Sequence, residues 1–409
     1  MNTHSNLRIQ FSALIPMTGG VLENGDLVIR DGLIHAIETR KAHPKEPTVI
    51  DLSDHLLLPG FINAHCHLSL SCLKGKVPKK EHFTDWVRAL QKISAGIPFL
   101  EKLAGIRAGA QEMLSSGVTT LADYISQPEL FPEYAELPLR KILFLETLGF
   151  NANRVQQVCK EVEAILDSHA SHRNATFQFG LAPHAPYSVS PFLFKALKRL
   201  AQHRKLPFSC HVAEFPEEIR FLREGGGEME AFLIERGVFD ENWNPPGTGV
   251  LQYLDSLDVL NDLIAVHLNH IESSDLELMR QHHTGAVFCP GSTQWFGRKK
   301  MLPLQKMLNI GITVGLGTDS LASTESLNFL RELRIAEKLL PELTRMEWLE
   351  MATRGGARVL GSNAGMIHPG APADLIGFHL PSKPTRYEDI PFEKSRQQVD
   401  FSMIAGQRI

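Results

Sequence analysis

Residues 99–124, FLEKLAGIRAGAQEMLSSGVTTLADY, decide the fold class. Up to Ser116 the apolar residues Leu103, Ile106, Ala110 and Met113 recur at the three-to-four spacing of one helix face. After Gly117 the run Val118-Thr119-Thr120 is β-branched and reads as a strand. The same change of rhythm repeats along the chain. Eight apolar segments read as strands: GFINAHCHL (60–68), VTTLADY (118–124), RKILFLET (140–147), FQFGLAPHA (177–185), PFSCHVAE (207–214), LIAVHLNH (263–270), GAVFCP (285–290) and ITVGLGTDS (312–320). Helical stretches lie between most of them, among them NRVQQVCKEVEAILDSHAS (153–171) and PFLFKALKRLAQHR (191–204). Strands alternating with helices pair in parallel, and eight such units close a (β/α)8 TIM barrel.

The two ends of the chain have another style. LRIQFSALIPM (7–17), GDLVIRDGLIHAIET (25–39) and PTVIDLSDHLLLP (47–59) alternate apolar and polar residues between Gly and Asp turns, the pattern of antiparallel strands. After a last helical run, MEWLEMATRGGARVLG (346–361), that style returns in GMIHPGAPADLIGFHL (365–380). The expected fold is α/β: a barrel over residues 59–363, with a small β-sandwich domain assembled from residues 1–58 and 364–409. Residues Phe239 to Asp255, with Pro245-Pro246-Gly247, read as an inserted loop at the mouth of the barrel.

Composition excludes several classes of function. The 409 residues are 43% hydrophobic and 22% charged, as in an ordinary globular protein, and the formal charge of −4 is small. The longest basic cluster, Arg298-Lys299-Lys300, is too short to track a phosphate backbone, so no nucleic-acid partner is expected. Five cysteines at 66, 72, 159, 210 and 289 form neither a disulfide framework nor a zinc ribbon. Cys66, Cys210 and Cys289 sit in apolar runs as small core residues, which points to a reducing cytoplasm. The N-terminus lacks a signal-peptide pattern, and no apolar stretch reaches membrane-spanning length. A small-molecule substrate is the expected partner, and a homodimer is compatible with the sequence.

In a parallel barrel the active site lies at the C-terminal ends of the strands. The first strand ends in His65-Cys66-His67, two histidines projecting to one side. The fifth ends in His211 with Glu214 three residues on, the sixth carries His267 and His270, and the eighth ends in Asp319-Ser320. An aspartate before serine is ordinarily a helix cap, and a lone strand-end histidine is ordinarily structural. Their coincidence at the strand ends of one barrel points instead to a metal. Three imidazoles and a carboxylate suit one divalent ion per chain, Zn²⁺ or alternatively Fe²⁺, with a position left for water.

PGFINAHCHL (59–68), HVAE (211–214), His267, LGTDS (316–320) and PGAPADLIGF (369–378) resemble, in that order, the deaminase and chlorohydrolase branch of the amidohydrolase superfamily. The resemblance implies that His65, His67, His211 and Asp319 hold the metal and that Asp319 also contacts the nucleophilic water. It implies that Glu214 is the acid/base and that His267 polarises water or substrate. His184, in PHAPYSVS (183–190), and Ser320 become substrate contacts, and His270 a packing residue. The end of the fourth strand has no lysine to carbamylate and bridge two metals. HAPYSVSP (184–191) with TDSLAS (318–323) looks most like the deaminases of adenosine derivatives, such as aminodeoxyfutalosine, S-adenosylhomocysteine or methylthioadenosine. The implied reaction is hydrolytic attack by a metal-activated water with release of ammonia. Two alternatives stand beside it: hydrolysis of a guanine-, cytosine- or triazine-like ring within the same branch, and a non-catalytic metal- or ligand-binding barrel.

The sequence departs from the pattern at two places. The usual CPxSN reads Cys289-Pro290-Gly291-Ser292-Thr293, followed by Gln294-Trp295-Phe296-Gly297-Arg298. Where S-adenosylhomocysteine deaminases carry a ribose-binding glutamate, a small residue near Ala95 stands. Trp295 or Phe296 is expected to stack on a substrate ring and Arg298 to pair with a substrate carboxylate.

Overall fold

The computed structural model describes residues 7–39 and 49–409. Residues 1–6 and 40–48, part of the expected N-terminal β-segment, lie outside the described residues. All eight expected barrel segments are strands: β5 (Phe61–Cys66), β6 (Val118–Ile125), β7 (Arg140–Thr147), β8 (Phe177–Pro183), β9 (Phe208–Val212), β10 (Leu263–His267), β11 (Gly285–Phe288) and β12 (Val314–Leu316). They close into one parallel barrel in sequence order, β12 pairing with β5.

The barrel interior is filled. Ile62, Ala122, Tyr124, Phe144 and Val266 belong to one apolar cluster. The Tyr124 hydroxyl reaches Ser209 Oγ at 2.5 Å, from β6 to the non-neighbouring β9. Tyr124 also lies under the functional end, with its ring 4.3 Å from that of His65. Packing of this kind makes a rigid floor for a site.

The helix Phe99–Ser115 falls on the opening sequence stretch, burying Ile106, Ala110, Met113 and Leu114. The last helical run is not uniform. Arg345–Glu350 is α-helical, Met351–Gly355 widens into a π-turn, and Gly356–Val359 resumes the α-helix. A Cβ on Gly355 would meet the Val314 carbonyl oxygen at 2.2 Å, so this segment lies directly on β12. The expected inserted loop is irregular from Phe239 to Gly249, but Val250–Ser256 is helical because Val250, Leu251, Tyr253 and Leu254 are buried. Its Trp243 stacks on Phe221 with ring centroids 4.5 Å apart.

The chain ends meet in one seven-stranded sheet of order β15-β14-β13-β4-β1-β2-β3. Its strands are β1 (Leu7–Leu14), β2 (Leu22–Arg30), β3 (Leu33–Thr39), β4 (Val49–Pro59), β13 (Leu375–His379), β14 (Phe401–Ile404) and β15 (Gln407–Arg408). Six strand contacts carry this sheet, and one of them, β1 with β4, is parallel, where antiparallel pairing throughout was expected. β4 lies on the side of β1 away from β2 and runs in the same direction as β1. Alternation announces strands but not the direction of their pairing.

Only Gly60 separates β4 from β5, so the sheet feeds straight into the barrel. A Cβ at Gly60 would sit 2.0 Å from Thr119 Oγ1, so no larger residue fits this crossing. Arg140, on β7, donates to Asp374 through Nε at 2.7 Å and Nη2 at 3.2 Å. Asp374, just before β13, is buried, and this forked pair ties the sheet to the barrel.

Candidate active site

The C-terminal ends of β5, β9, β10 and β12 bring the expected residues together. His65 is fully buried, and the ring centroids of His67 and His211 each lie 4.9 Å from its own. One ligand atom from each of His65, His67 and His211 lies within 4.8 Å of the others, and the same holds for Glu214, His267 and Asp319. Asp319 Oδ1 joins the two groups, 3.8 Å from His65 Nε2 and 4.0 Å from His67 Nε2. Two ligand atoms can share one ion only when they are closer than about 4.2 Å, twice a typical metal–ligand bond of roughly 2.1 Å. The two separations of Asp319 Oδ1 from the histidine nitrogens, 3.8 and 4.0 Å, meet that limit.

Both ring nitrogens of His65 are buried and have no hydrogen-bond partner among the described residues. Such a ring would be costly in a purely structural role, whereas a cation would satisfy it. His211 Nδ1 lies 2.8 Å from the His184 carbonyl oxygen, which can only accept. Nδ1 therefore carries the proton, and the Nε2 lone pair is left for a metal. The Ser323 hydroxyl donates to Asp319 Oδ2 at 3.0 Å, leaving Oδ1 to the histidines. The donor set fits a divalent ion.

The backbone at these positions is strained and braced. Ala213, His267 and Asp319 have φ of 51°, 77° and 59°, in the left-handed region, at a cost of about 1–3 kcal/mol each. The Thr318 and Asp319 N–H groups donate to the His65 carbonyl at 3.0 and 3.1 Å. Buried Asn63 grips Thr318, donating to its hydroxyl at 2.8 Å and accepting from its N–H at 3.1 Å. Glu218 accepts from the N–H groups of Ala213 and Glu214 at 3.1 and 2.9 Å, fixing the turn that presents Glu214.

Burial dominates the electrostatics. It depresses the His67 imidazole to about 3, with the neighbouring His65 adding to the effect. His211 and His267 also fall well below the ordinary histidine value because of burial. Burial raises Glu214 to about 7, opposed by the charge of Arg298, and raises Glu218 and Glu146 to about 8.

A cavity of about 440 Å³ opens over this cluster, within the range of small-molecule sites. His67, His184, His211, Glu214, Asp319 and Ser320 face it at one end, and Phe83, Trp86, Leu90, Tyr187, Met229 and Phe232 make its apolar wall. Gln91, Ser94 and Ala95 line it without a carboxylate, as the sequence implied. His184 is steered by Ser188, whose Oγ lies 2.7 Å from its Nδ1.

Two residues take places other than those expected. Trp295 does not line this cavity; it packs edge-on against Phe296 with centroids 4.8 Å apart, and Phe296 is the ring that reaches the wall. Arg298 faces a second cavity and pairs with Glu214. Both belong to the short helix Pro290–Phe296 and the turn after it, which the strand-and-helix reading did not resolve.

Four functional positions escaped the sequence reading. Asn63 and Glu218 brace the site as described. Asp123 accepts from the Leu68 N–H and the Tyr134 hydroxyl, each at 2.7 Å, and so holds the segment after His67. Glu146 ends β7 facing the cavity, with a buried Oε1 that lacks a partner among the described residues. A polar residue inside an apolar strand, as in VTTLADY or RKILFLET, was the signal available for Asp123 and Glu146.

Glu218 also gives a pH prediction. Its folded value of about 8 lies above the unfolded carboxylate value of about 4.3, so the folded state binds its proton more tightly. Its contribution is full below about pH 4 and is lost as pH rises through about 8. Glu218→Gln is expected to shrink the fall in urea midpoint between pH 5 and pH 8. An unchanged fall would show that another acid carries it.

The fold and cavity together define an enzyme of the (β/α)8-barrel class. The amidohydrolase family signature matches residues 56–409, and the chain belongs to the amidohydrolase family. It is a hydrolase acting on C–N bonds of a small-molecule substrate, in a metal-dependent family. A 5-methylthioadenosine/S-adenosylhomocysteine deaminase of Pyrococcus furiosus is 31% identical over 87% of this chain and 82% of its own length. The structure of Helicobacter pylori aminofutalosine deaminase with methylthio-coformycin is 25% identical, with a TM-score of 0.85 over 98% of this chain and 99% of that one. A zinc-bound adenosine deaminase from Xanthomonas campestris, 24% identical, shares the fold with a TM-score of 0.84 over 98% and 92% of the two chains. Among the described residues no helix is long and apolar enough to cross a membrane.

Proposed function

We propose that this chain is a metal-dependent hydrolytic deaminase of 6-aminopurine nucleosides, that is, of adenosine derivatives. The observation that carries the reading is the placement of Glu214. It lines the cavity 3.4 Å from His267 Nε2 and beside Asp319, next to a three-histidine cluster that needs no further carboxylate. The named relatives act on adenosine derivatives, which supports the same substrate class here.

His65, His67, His211 and Asp319 would hold one divalent ion, with Zn²⁺ fitting the nitrogen-rich set and Fe²⁺ the alternative. Such an ion supplies a water acidified towards neutral pH. Asp319 and His267 would orient the attacking water against the ring carbon bearing the amine. Glu214 takes one proton from the water and delivers it to the adjacent ring nitrogen, then carries the second, from the added hydroxyl, to the departing ammonia. His184 and Ser320 position the ring, and the apolar wall receives the 5′ substituent. We also take residues 1–58 and 364–409 as one composite domain carried by the barrel of residues 59–363. The buried free thiols of Cys66, Cys210 and Cys289 support a cytoplasmic setting.

The wall makes the substrate order testable. Burying an apolar 5′ group the size of a side chain contributes about 1.5–3 kcal/mol, roughly ten- to a hundredfold in kcat/KM. Methylthioadenosine is therefore expected to exceed free adenine, followed by the ultraviolet shift on deamination. Faster turnover of the free base would sink the nucleoside assignment.

A further inference from the structure

Arg298 is the least ordinary cation in the molecule. Its side chain is 6% exposed, and its guanidinium lies 4.6 Å from the centroids of both Phe215 and Phe296, packed against two rings that themselves meet edge to face with centroids 5.4 Å apart. Nη2 donates to Glu214 Oε1, while Nε and Nη1 are buried without partners among the described residues. It lines a second cavity of about 340 Å³ and not the one over the histidine cluster. Glu214, Phe83 and Phe296 line both cavities, so Glu214 stands at the wall between the substrate space and Arg298.

A flat cation packed against two rings is held in orientation as well as in place. Removing a charge from water to this degree is costly, and here its one side-chain partner is the carboxylate assigned to proton transfer. The same Glu214 oxygen lies 3.4 Å from His267 Nε2, so that one atom is gripped from two sides. The backbone turn held by Glu218 sets where Glu214 begins, and Arg298 sets where its carboxylate ends.

We infer that Arg298 is a positioning residue for the reaction, clamping the Glu214 carboxylate at the cavity wall rather than binding a substrate tail. The inference rests on the deaminase reading above. It explains why an arginine follows the altered Cys289-Pro290-Gly291-Ser292-Thr293 segment: the turn after Phe296 carries the guanidinium back to Phe215, the residue next to Glu214.

The test is a double-mutant cycle on metal-loaded full-length protein with methylthioadenosine as substrate. Arg298→Met fills the space against the two rings without the charge, and Glu214→Gln removes the proton carrier. Arg298→Met alone is expected to lower kcat at least about tenfold with KM nearly unchanged, and to change kcat less than about twofold in the Glu214→Gln background. Arg298→Lys, which keeps the charge but not the fork, is expected to fall between Arg298→Met and the wild type. Equal losses in both backgrounds would overturn the clamp, as would a rise in KM confined to nucleosides with acidic tails. Unfolding midpoints of a parallel cycle with Glu214→Ala, which removes the acceptor, read the Arg298–Glu214 coupling whatever the substrate, and zero coupling there would overturn the pairing itself. Wild-type protein that deaminates no adenosine derivative would instead refute the functional reading.

Discussion

Glu214→Gln is expected to lower kcat by about 10²–10⁴-fold, the usual worth of a positioned acid/base, while the metal content per chain stays unchanged. The side chain is not needed by the His65–His67–His211 group, whose ligand atoms already lie within 4.8 Å of one another. Glutamine keeps an oxygen that accepts from Arg298, so the fold around Phe215 and Phe296 is retained. What it cannot do is carry a proton. Rapid-quench or steady-state kinetics with elemental analysis of the same preparation checks both halves. Full activity in this variant would contradict the assigned role, and a lost metal would mean that Glu214 is a ligand.

His65→Ala is expected to have the larger effect, reducing bound metal well below one ion per chain and turnover to the assay floor. His65 is fully buried, both of its ring nitrogens lack a hydrogen-bond partner among the described residues, and its Nε2 lies 3.8 Å from Asp319 Oδ1. Water away from a metal is far too weak an acid to yield hydroxide at neutral pH, whereas a bound zinc would bring it to roughly 7, so no side chain present can compensate. Changes to residues that only support ligands typically cost 10–100-fold in affinity, and loss of the ligand itself should exceed that. Chelation of the wild type should reproduce the loss, and metal add-back should reverse it. A His65→Ala protein holding a full equivalent of metal and turning over normally would refute the ligand assignment.

The sequence carries the barrel because its strands are almost wholly buried and mostly apolar, bounded by helices with a clear three-to-four spacing. The site residues at strand ends are legible for the same reason: His65, His211 and Asp319 are polar punctuation on apolar runs. The residues that brace them are harder to read. Asn63 acts through two hydrogen bonds to Thr318, 255 residues away, and Glu218 through bonds to backbone N–H groups four and five residues back, and no periodicity announces either pairing. Arg298 was legible as unusual but not in its partner. Its carboxylate is supplied by the protein, 84 residues away, and only the closed barrel brings the two together. The parallel pairing of β1 with β4 was hidden likewise, since alternation is the same in either direction.

The most direct test of the central claim is product analysis with purified, zinc-loaded protein and a panel of methylthioadenosine, S-adenosylhomocysteine, aminodeoxyfutalosine and adenosine. The expected result is one ammonia released for each 6-oxopurine nucleoside formed from at least one of them, with none formed after chelation. Turnover of a guanine-, cytosine- or triazine-like ring, with no 6-aminopurine nucleoside consumed, would contradict it.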